Sequence, residues 1–437
     1  MELINKNQVP EGYKKTEIGV IPEDWDVVSI TKATSAIFLG LTAKVDYVNS
    51  GGIPLIRATD IASGRLKFSD ARSISVRQHK QLTRYRRPKK EDVLVSKSGS
   101  LGVCAIVDVD RDFSIYESII VIQSNSLLNS NFLLWLVRDE RTQIRIIGEK
   151  VGSTVGHLNL EMFRKLLIPL PPLPEQKAIA QTLSDVDALI AALDKLIAKK
   201  RNIKTATMQQ LLTGKTRLPG FGEGKGYKKT EVGVIPEDWE VKKLGDVIKI
   251  LGGYGFSSRF GSNTGIKWLK ISNVGIEKIN WDNITYLPVY FRTKFKDYIL
   301  QPKDVVIALT RPIIGNKLKI AQLTTEDTPA LLNQRVAKLL PIQNTQTAFI
   351  YYVMQHLYFI ISMTIAMAGT DPPNIGNTAL EKILIAVPCL AEEQKAIAQV
   401  LSDIDTEITA LEKRRAKTQA IKQGMMQELL IGRTRLI

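Results

Sequence analysis

GYKKTEIGVIPEDW, residues 12–25, returns as GYKKTEVGVIPEDW at residues 226–239, with Val232 in place of Ile18 the only change. A chain that writes such a phrase twice is built from repeats, and the repeat decides the fold. Further along, EQKAIAQTLSDVD (175–187) returns as EQKAIAQVLSDID (393–405), and LLTGKTRL (211–218) as LLIGRTRL (429–436). The first pair lies 214 residues apart and the other two 218, so the region between phrases is four residues longer in the second copy. That region diverges. GIPLIRATDIASGRLKF (52–68) aligns only loosely with GIKWLKISNVGIEKINW (265–281), and KKEDVLVSKSGSLG (89–102) with QPKDVVIALTRPIIG (301–315). Apolar positions persist while polar residues change. Simple drift after duplication would scatter changes evenly. A fixed frame around two variable inserts points instead to two readers of different targets on one mount.

The frame contains long helices. Residues 175–213 hold no Gly or Pro, with Pro174 before and Gly214 after, which matches helix start and stop preferences. Ile179, Leu183, Val186, Ile190, Leu193 and Ile197 alternate four and three apart, as the apolar face of a coiled coil does. Ile397, Leu401, Ile404, Ile408 and Leu411 repeat the pattern. At 1.5 Å per residue such a helix is about 58 Å long. In each copy acidic residues come first (Glu175, Asp185, Asp187, Asp194; Glu393, Asp403, Asp405, Glu407, Glu412). Basic residues follow (Lys199, Lys200, Arg201, Lys204; Lys413, Arg414, Arg415, Lys417, Lys422). Antiparallel pairing sets opposite charges together, whereas parallel pairing does not. The competing reading has each helix pack only on its own domain, its charges following the helix dipole. The expected fold is mixed α/β (α+β): two repeated domains carrying the variable inserts, joined by two long antiparallel helices, with pseudo-twofold symmetry like that of isologous DNA-binding dimers. The expected boundaries are 1–171 and 218–388 for the two domains, and 172–217 and 389–437 for the helices. A rod of that length spans about 17 base pairs, an upper bound on the gap between two reading sites.

Composition narrows the partner. The net charge of +16 favours a polyanion, nucleic acid before a membrane surface. Cys104 and Cys389 form no disulfide framework or metal cluster, so a reducing cytoplasm is expected, and MELINKNQVPEGYKK lacks the apolar core of a signal peptide. FIYYVMQHLYFIISMTIAMA (349–368) has the length of a membrane span. Its counterpart at 131–148 carries Arg138, Asp139, Glu140, Arg141 and Arg145. Repeated halves do not place one such segment in lipid and the other in water, so 349–368 reads as a buried helix.

This order of parts resembles the specificity subunit of type I restriction–modification enzymes, along nearly the whole chain. The marks are two IPEDW entries (21–25 and 235–239) and variable regions with patterns such as EDVLVSKSGSLG (91–102). After them come the exits IPLPPLPEQKAIA (168–180) and IAVPCLAEEQKAIA (385–398), then the helix ends LLTGKTRL and LLIGRTRL. The resemblance implies that each recognition domain reads one half of a split double-stranded DNA sequence. It implies that the helices set the gap and help bind two methyltransferase subunits, that a restriction motor subunit joins for cleavage, and that the chain itself does no chemistry and needs no cofactor.

The residues agree with an absence of catalysis. TDPPN (370–374) resembles the Asp-Pro-Pro-aromatic turn of adenine methyltransferases, but Asn374 stands where the aromatic should stack on a flipped base. It reads as a loop. GKT (214–216) resembles the end of a phosphate-binding loop, but Gln209 replaces the first glycine and a helix, not a strand, precedes it. His79, His157 and His356 have no nucleophile or ligand spacing, and no metal site is expected.

DNA contacts need Lys and Arg. The first insert offers Arg57, Arg65, Lys67, Arg72, Arg77, Lys80, the run RYRRPKK (84–90) with Arg84, Arg86 and Arg87, and Lys97 within SKSGS. The second offers Arg259, Lys267, Lys270, Lys294, Lys296, Arg311, Lys317 and Lys319. Any one of these could be a solvated surface residue; together they make a basic surface on each insert. Arg57 and Lys270, at the ends of IPLIR and IKWLK, are favoured over their neighbours. The alternative function is a stand-alone DNA-binding regulator with the same two readers. A closely repeated docking frame argues against it. The echo of GKTRLPGF (214–221) in the terminal GRTRLI brings the C-terminus near the N-terminus, and predicts tolerance of circular permutation within 214–226.

Overall fold

The phrase at 12–25 is itself a β-hairpin, Tyr13–Thr16 against Gly19–Pro22, and its second copy pairs Tyr227–Thr230 with Gly233–Pro236 in the same register. The computed structural model describes residues 9–40, 44–147, 158–342 and 345–437. Residues 1–8 and His157 lie outside them. The chain divides into two units: Met1–Asp194 with Lys413–Ile437, and Lys195–Glu412. Both long helices, Leu173–Leu211 and Ala391–Leu429, contribute to each unit. The first starts at Leu173, two residues earlier than its sequence signals indicate, because Pro174 fits the first turn, where its missing N–H costs no bond.

In the first unit, strands Thr34–Leu39, Ile119–Ser124, Val93–Ser96 and Cys104–Ile106 form an antiparallel sheet in that order. A second sheet is built on Ile53–Ile56, which pairs in parallel with Ser114–Ile115. The second unit repeats the first of these with Ile248–Gly252, Val336–Pro341, Val305–Ala308 and Ile320–Gln322. Its second sheet again has a parallel pair, Ile266–Leu269 with Ala330–Leu332. Strand alternation explains why these stretches are apolar throughout. Val93, Val95, Ile120 and Ile122 face one core, whereas Leu94, Ile119 and Val121 face another. In the second unit Val305 and Ile307 face one core, and Val306 and Ala308 the other. A strand buried on both faces cannot carry a polar alternate.

Within the first unit Lys422 pairs with Asp187, and Arg415 with Asp194 at 2.9 Å; residue numbers rise on one helix as they fall on the other, so the helices are antiparallel. In the second unit Lys204 pairs with Asp405 at 2.7 Å, Lys200 with Glu407 and Arg201 with Glu412. The helices pack on their domains as well. Ile179, Ala180 and Leu183 join the first unit's core together with Met426, Leu429 and Leu430 from the end of the other helix. Ile397, Ala398, Leu401, Met208, Leu211 and Leu212 do the same in the second. Ile190, Leu193, Ile197 and Ile408 are buried, and Val186, Ile404 and Leu411 are half-buried.

Residues 349–368 are not one buried helix. Two helices, Thr347–Gln355 and Leu357–Ala366, meet at a 74° bend. His356 has extended backbone that ends the first, and its Nδ1 accepts from the Tyr358 amide of the second. The first helix is buried, but the second leaves Leu357, Ile361 and Ile365 exposed. Among the described residues no single helix is long and apolar enough to cross a membrane.

Candidate nucleic-acid interface

The repeated phrases hold a clamp that sets each domain on its helix. In the first unit Trp25 Nε1 donates to Glu175 Oε2 (3.0 Å), and Arg435 bonds both Glu175 oxygens (2.6 and 2.8 Å) and both Asp24 oxygens (2.9 and 2.8 Å). The second unit has Trp239 on Glu393 (3.2 Å), with Arg217 forked onto Glu393 (2.6 and 2.8 Å) and Asp238 (2.8 and 3.0 Å). Tyr13 and Tyr227 donate to the carbonyls of Gly432 (3.0 Å) and Gly214 (3.1 Å). Both glycines have positive φ, and a Cβ on either would lie about 2.5 Å from a proline ring, Pro22 or Pro236. The side chains of Gln176 and Gln394 bind the Pro171 and Pro388 carbonyls and the Asn129 and Gln346 amides. These bonds account for the repetition of Asp-Trp, Glu-Gln and the Gly and Arg of GxTR: the polar side chains among them have the same partners in both copies, which a substitute would not satisfy. The terminal GRTRLI therefore closes the first unit as GKTRL closes the second.

In each insert five chain segments meet through equivalent backbone bonds. In the first unit the Lys97 amide donates to Ser118 O (2.7 Å), Leu158 to Lys97 O (3.1 Å), Gly40 to Ile119 O (3.1 Å) and Tyr116 to Ile56 O (2.9 Å). In the second, Leu309 donates to Arg335 O (3.0 Å), Ile375 to Leu309 O (2.9 Å), Gly253 to Val336 O (3.0 Å) and Asn333 to Leu269 O (3.2 Å). Gly40 and Gly253 are held there by crowding: a Cβ would lie 2.1 Å from the carbonyl oxygen of Tyr116 or Asn333. The backbone junction is the same, and the side chains on it are not. Lys97, Ser98, Gly99, Tyr116 and Ser118 occupy the first; Thr310, Arg311, Gln334, Arg335 and Tyr254 occupy the second. Arg311, Gln334, Arg335 and Tyr254 are exposed.

The structure sorts the basic residues by what their heads touch. Arg57 and Lys270 adjoin the junction through their neighbours, but both are turned back. Arg57 Nε lies 3.6 Å from the buried Asp60, and Lys270 Nζ donates to Thr285 Oγ1 (2.7 Å). Lys267 is engaged by the Glu326 carbonyl and the Trp281 ring, and Lys319 by the Ile271 carbonyl (2.9 Å), with burial holding its pKa below the usual lysine range. Arg84 and Arg86 lie over Tyr85 and Phe38, and Arg87 pairs with Asp112 (3.4 Å). Arg259 and Lys294 flank an aromatic cluster of Phe256, Phe260, Trp268, Phe291 and Phe295. Arg65, Lys67, Lys296 and Lys317 are exposed, and Lys97 and Arg311 sit on the junction. Arg335 and Gln334 escaped the sequence reading because NQRVAKLL was not aligned with YESIIVIQ; matching their apolar runs exposes the pair. TDPPN is a loop, and Asn374 Oδ1 accepts from Thr310 Oγ1 (2.9 Å), so it braces the junction. His79 is a core residue 2.9 Å from Ser114 Oγ, its pKa lowered by burial. Among the described residues no group of His, Cys, Asp and Glu is arranged to hold a metal ion.

The family model described as type I restriction modification DNA specificity domain matches twice, over residues 22–201 and 236–423. The chain is 32% identical over 442 residues to the type I restriction enzyme MjaVIII specificity subunit of Methanocaldococcus jannaschii, covering 100% of this chain and 99% of that one. It is 29% identical over 240 residues to the EcoAI specificity subunit of Escherichia coli, covering 52% of this chain and 41% of that one. Among solved structures, the type I restriction–modification S subunit from M. genitalium aligns with a TM-score of 0.60 at 16% identity, over 93% of this chain and 96% of that one, a likeness of fold. Both inserts and the larger part of each long helix fall within the two family matches, and the chain belongs to the type I restriction–modification DNA specificity family.

Proposed function

We propose that the chain is the sequence-reading subunit of a type I restriction–modification enzyme. Each recognition domain reads one half-site of a split duplex target, and the long helices fix the gap. The repeated frame presents the same surface twice to methyltransferase subunits, and a restriction subunit joins the assembly. Catalysis belongs to those partners. The observation that carries this reading is the junction. One set of backbone bonds recurs in both units while the exposed side chains on it differ, as two readers of unlike half-sites require.

The test is DNA methylation mapped across the host genome with and without this gene. Loss of methylation at one split motif of constant gap is the expected result. Unchanged methylation would favour a stand-alone DNA-binding regulator, and a pull-down that recovers no methyltransferase would agree with it.

A further inference from the structure

We propose that Arg311 reads a guanine in the half-site of the second recognition domain. The inference rests on that domain being a half-site reader and adds which side chain does the reading.

Arg311 has φ +46°, a left-handed backbone that favours glycine. At the matching place in the first unit stands Gly99, with φ +76°. The loop thus has a glycine-like shape in both domains, and in the second it is held by an arginine against the strain. Strain kept in an exposed, non-glycine position marks a side chain that is needed there. It does not serve the core, because Arg311 is exposed. It does not serve an ion pair either: among the described residues its guanidinium has no acidic partner, unlike Arg57 and Arg87.

The support beneath it is rigid. The Arg311 amide donates to Pro373 O (2.7 Å). Thr310, 8% exposed, is tied to Asn374, and the Asn374 amide is tied to Thr370 Oγ1 (3.0 Å). A guanidinium on a braced loop loses little freedom on binding, and its planar fork matches the O6 and N7 acceptors of guanine in the major groove. Gly99 offers no side chain at the matching place, so the first domain reads with other residues.

The experiment uses the complete complex with its methyltransferase subunits, and duplexes carrying the motif obtained from methylation mapping. Each base pair of the motif is substituted in turn, and competition binding is measured for wild type, R311G and R311K. Glycine relieves the strain, so R311G retains the fold. Wild type should discriminate about 10- to 100-fold against substitution of one G·C pair. R311G and R311K should both lose that discrimination, with the other half-site read as before. Three outcomes overturn the proposal: R311G leaves discrimination intact at every position of that half-site; R311K preserves what R311G loses, which makes Arg311 a point charge; or R311G weakens binding to every duplex alike, which makes it a phosphate contact. A wild-type complex that discriminates no duplex would instead refute the half-site reading itself.

Discussion

Arg435, two residues from the end of the chain, grips Glu175 at the start of the first long helix, as Arg217 grips Glu393 at the start of the second. Glu175 is 2% exposed, so its charge depends on that partner. Arg435→Ala should lower the stability of the first unit by about 2 kcal/mol, below the cost of breaking a fully buried pair because Arg435 is a third exposed. Urea titration followed by far-UV circular dichroism measures it. Deletion of residues 433–437 should have at least the same effect, and Arg217→Ala a larger one on the second unit, because Arg217 is 11% exposed against 33% for Arg435. A neutral result at Arg435 would show that the C-terminal clamp is dispensable.

The same clamps make the protein acid-sensitive. Hydrogen bonds from Arg435 and Arg217 hold the Asp24 and Asp238 carboxyls below their usual value of 3.8. A carboxylate depressed in the folded state adds stability that is complete above the unfolded value. That stability is lost as pH falls through the lower folded one. Thermal melting from pH 5 to pH 2 should therefore fall more steeply in wild type than in a variant carrying both Arg217→Ala and Arg435→Ala. Parallel curves would remove these pairs from the acid response.

Lys204 is a third site of leverage. Its ammonium is nearly buried between Asp405 (2.7 Å) and Glu277 (3.0 Å), with the Tyr352 hydroxyl also donating to Asp405 (2.9 Å). Burial raises the Asp405 pKa despite the lysine. Lys204→Met should cost about 3 kcal/mol at neutral pH by stranding that carboxylate. The loss should shrink as pH falls through the raised Asp405 value, because the protonated acid no longer needs a cation. Adding Asp405→Leu should restore much of the stability at neutral pH. The comparison to make is the denaturant midpoint of the single and double variants at pH 7 and pH 4.5, and a loss that grows on acidification would contradict the assignment.

The two thiols should differ sharply. Cys104 is buried and its pKa is pushed up to about 11 by desolvation, whereas Cys389 is exposed. Native protein at pH 7.5 should react with one equivalent of a maleimide and denatured protein with two, counted by intact mass. Thiolate is the reactive form and is scarce where burial disfavours charge. Two equivalents on native protein would mean that the sheet bearing Cys104 opens.

The sequence by itself determined the architecture. Verbatim repeats can be read without coordinates, and the heptad spacing and charge reversal of 175–213 and its copy indicate antiparallel helices. Those signals are legible because they are local or periodic. Even the clamp left its mark in sequence, in the recurrence of EDW, EQ and GxTR, although their bonding did not. Only the tertiary structure decided which basic residues face solvent. Arg57 and Lys270, favoured by their place after a strand, turn inward to Asp60 and Thr285, while Arg311 and Arg335, exposed and without an acidic partner among the described residues, sit on loops that meet Asn374 and Tyr254 from distant parts of the chain. The reason is physical. A strand or helix declares itself through periodicity along the chain, but the direction of a long charged side chain is set by whichever acceptor or ring the fold brings within reach. Asp60 is an i,i+3 neighbour of Arg57 and Thr285 lies 15 residues from Lys270, so no fixed period along the chain singles such partners out. The bend at His356, which turns an apparent single helix into two and leaves Leu357, Ile361 and Ile365 at the surface, was hidden for the same reason: the apolar run is continuous in sequence, and only packing decides where it breaks.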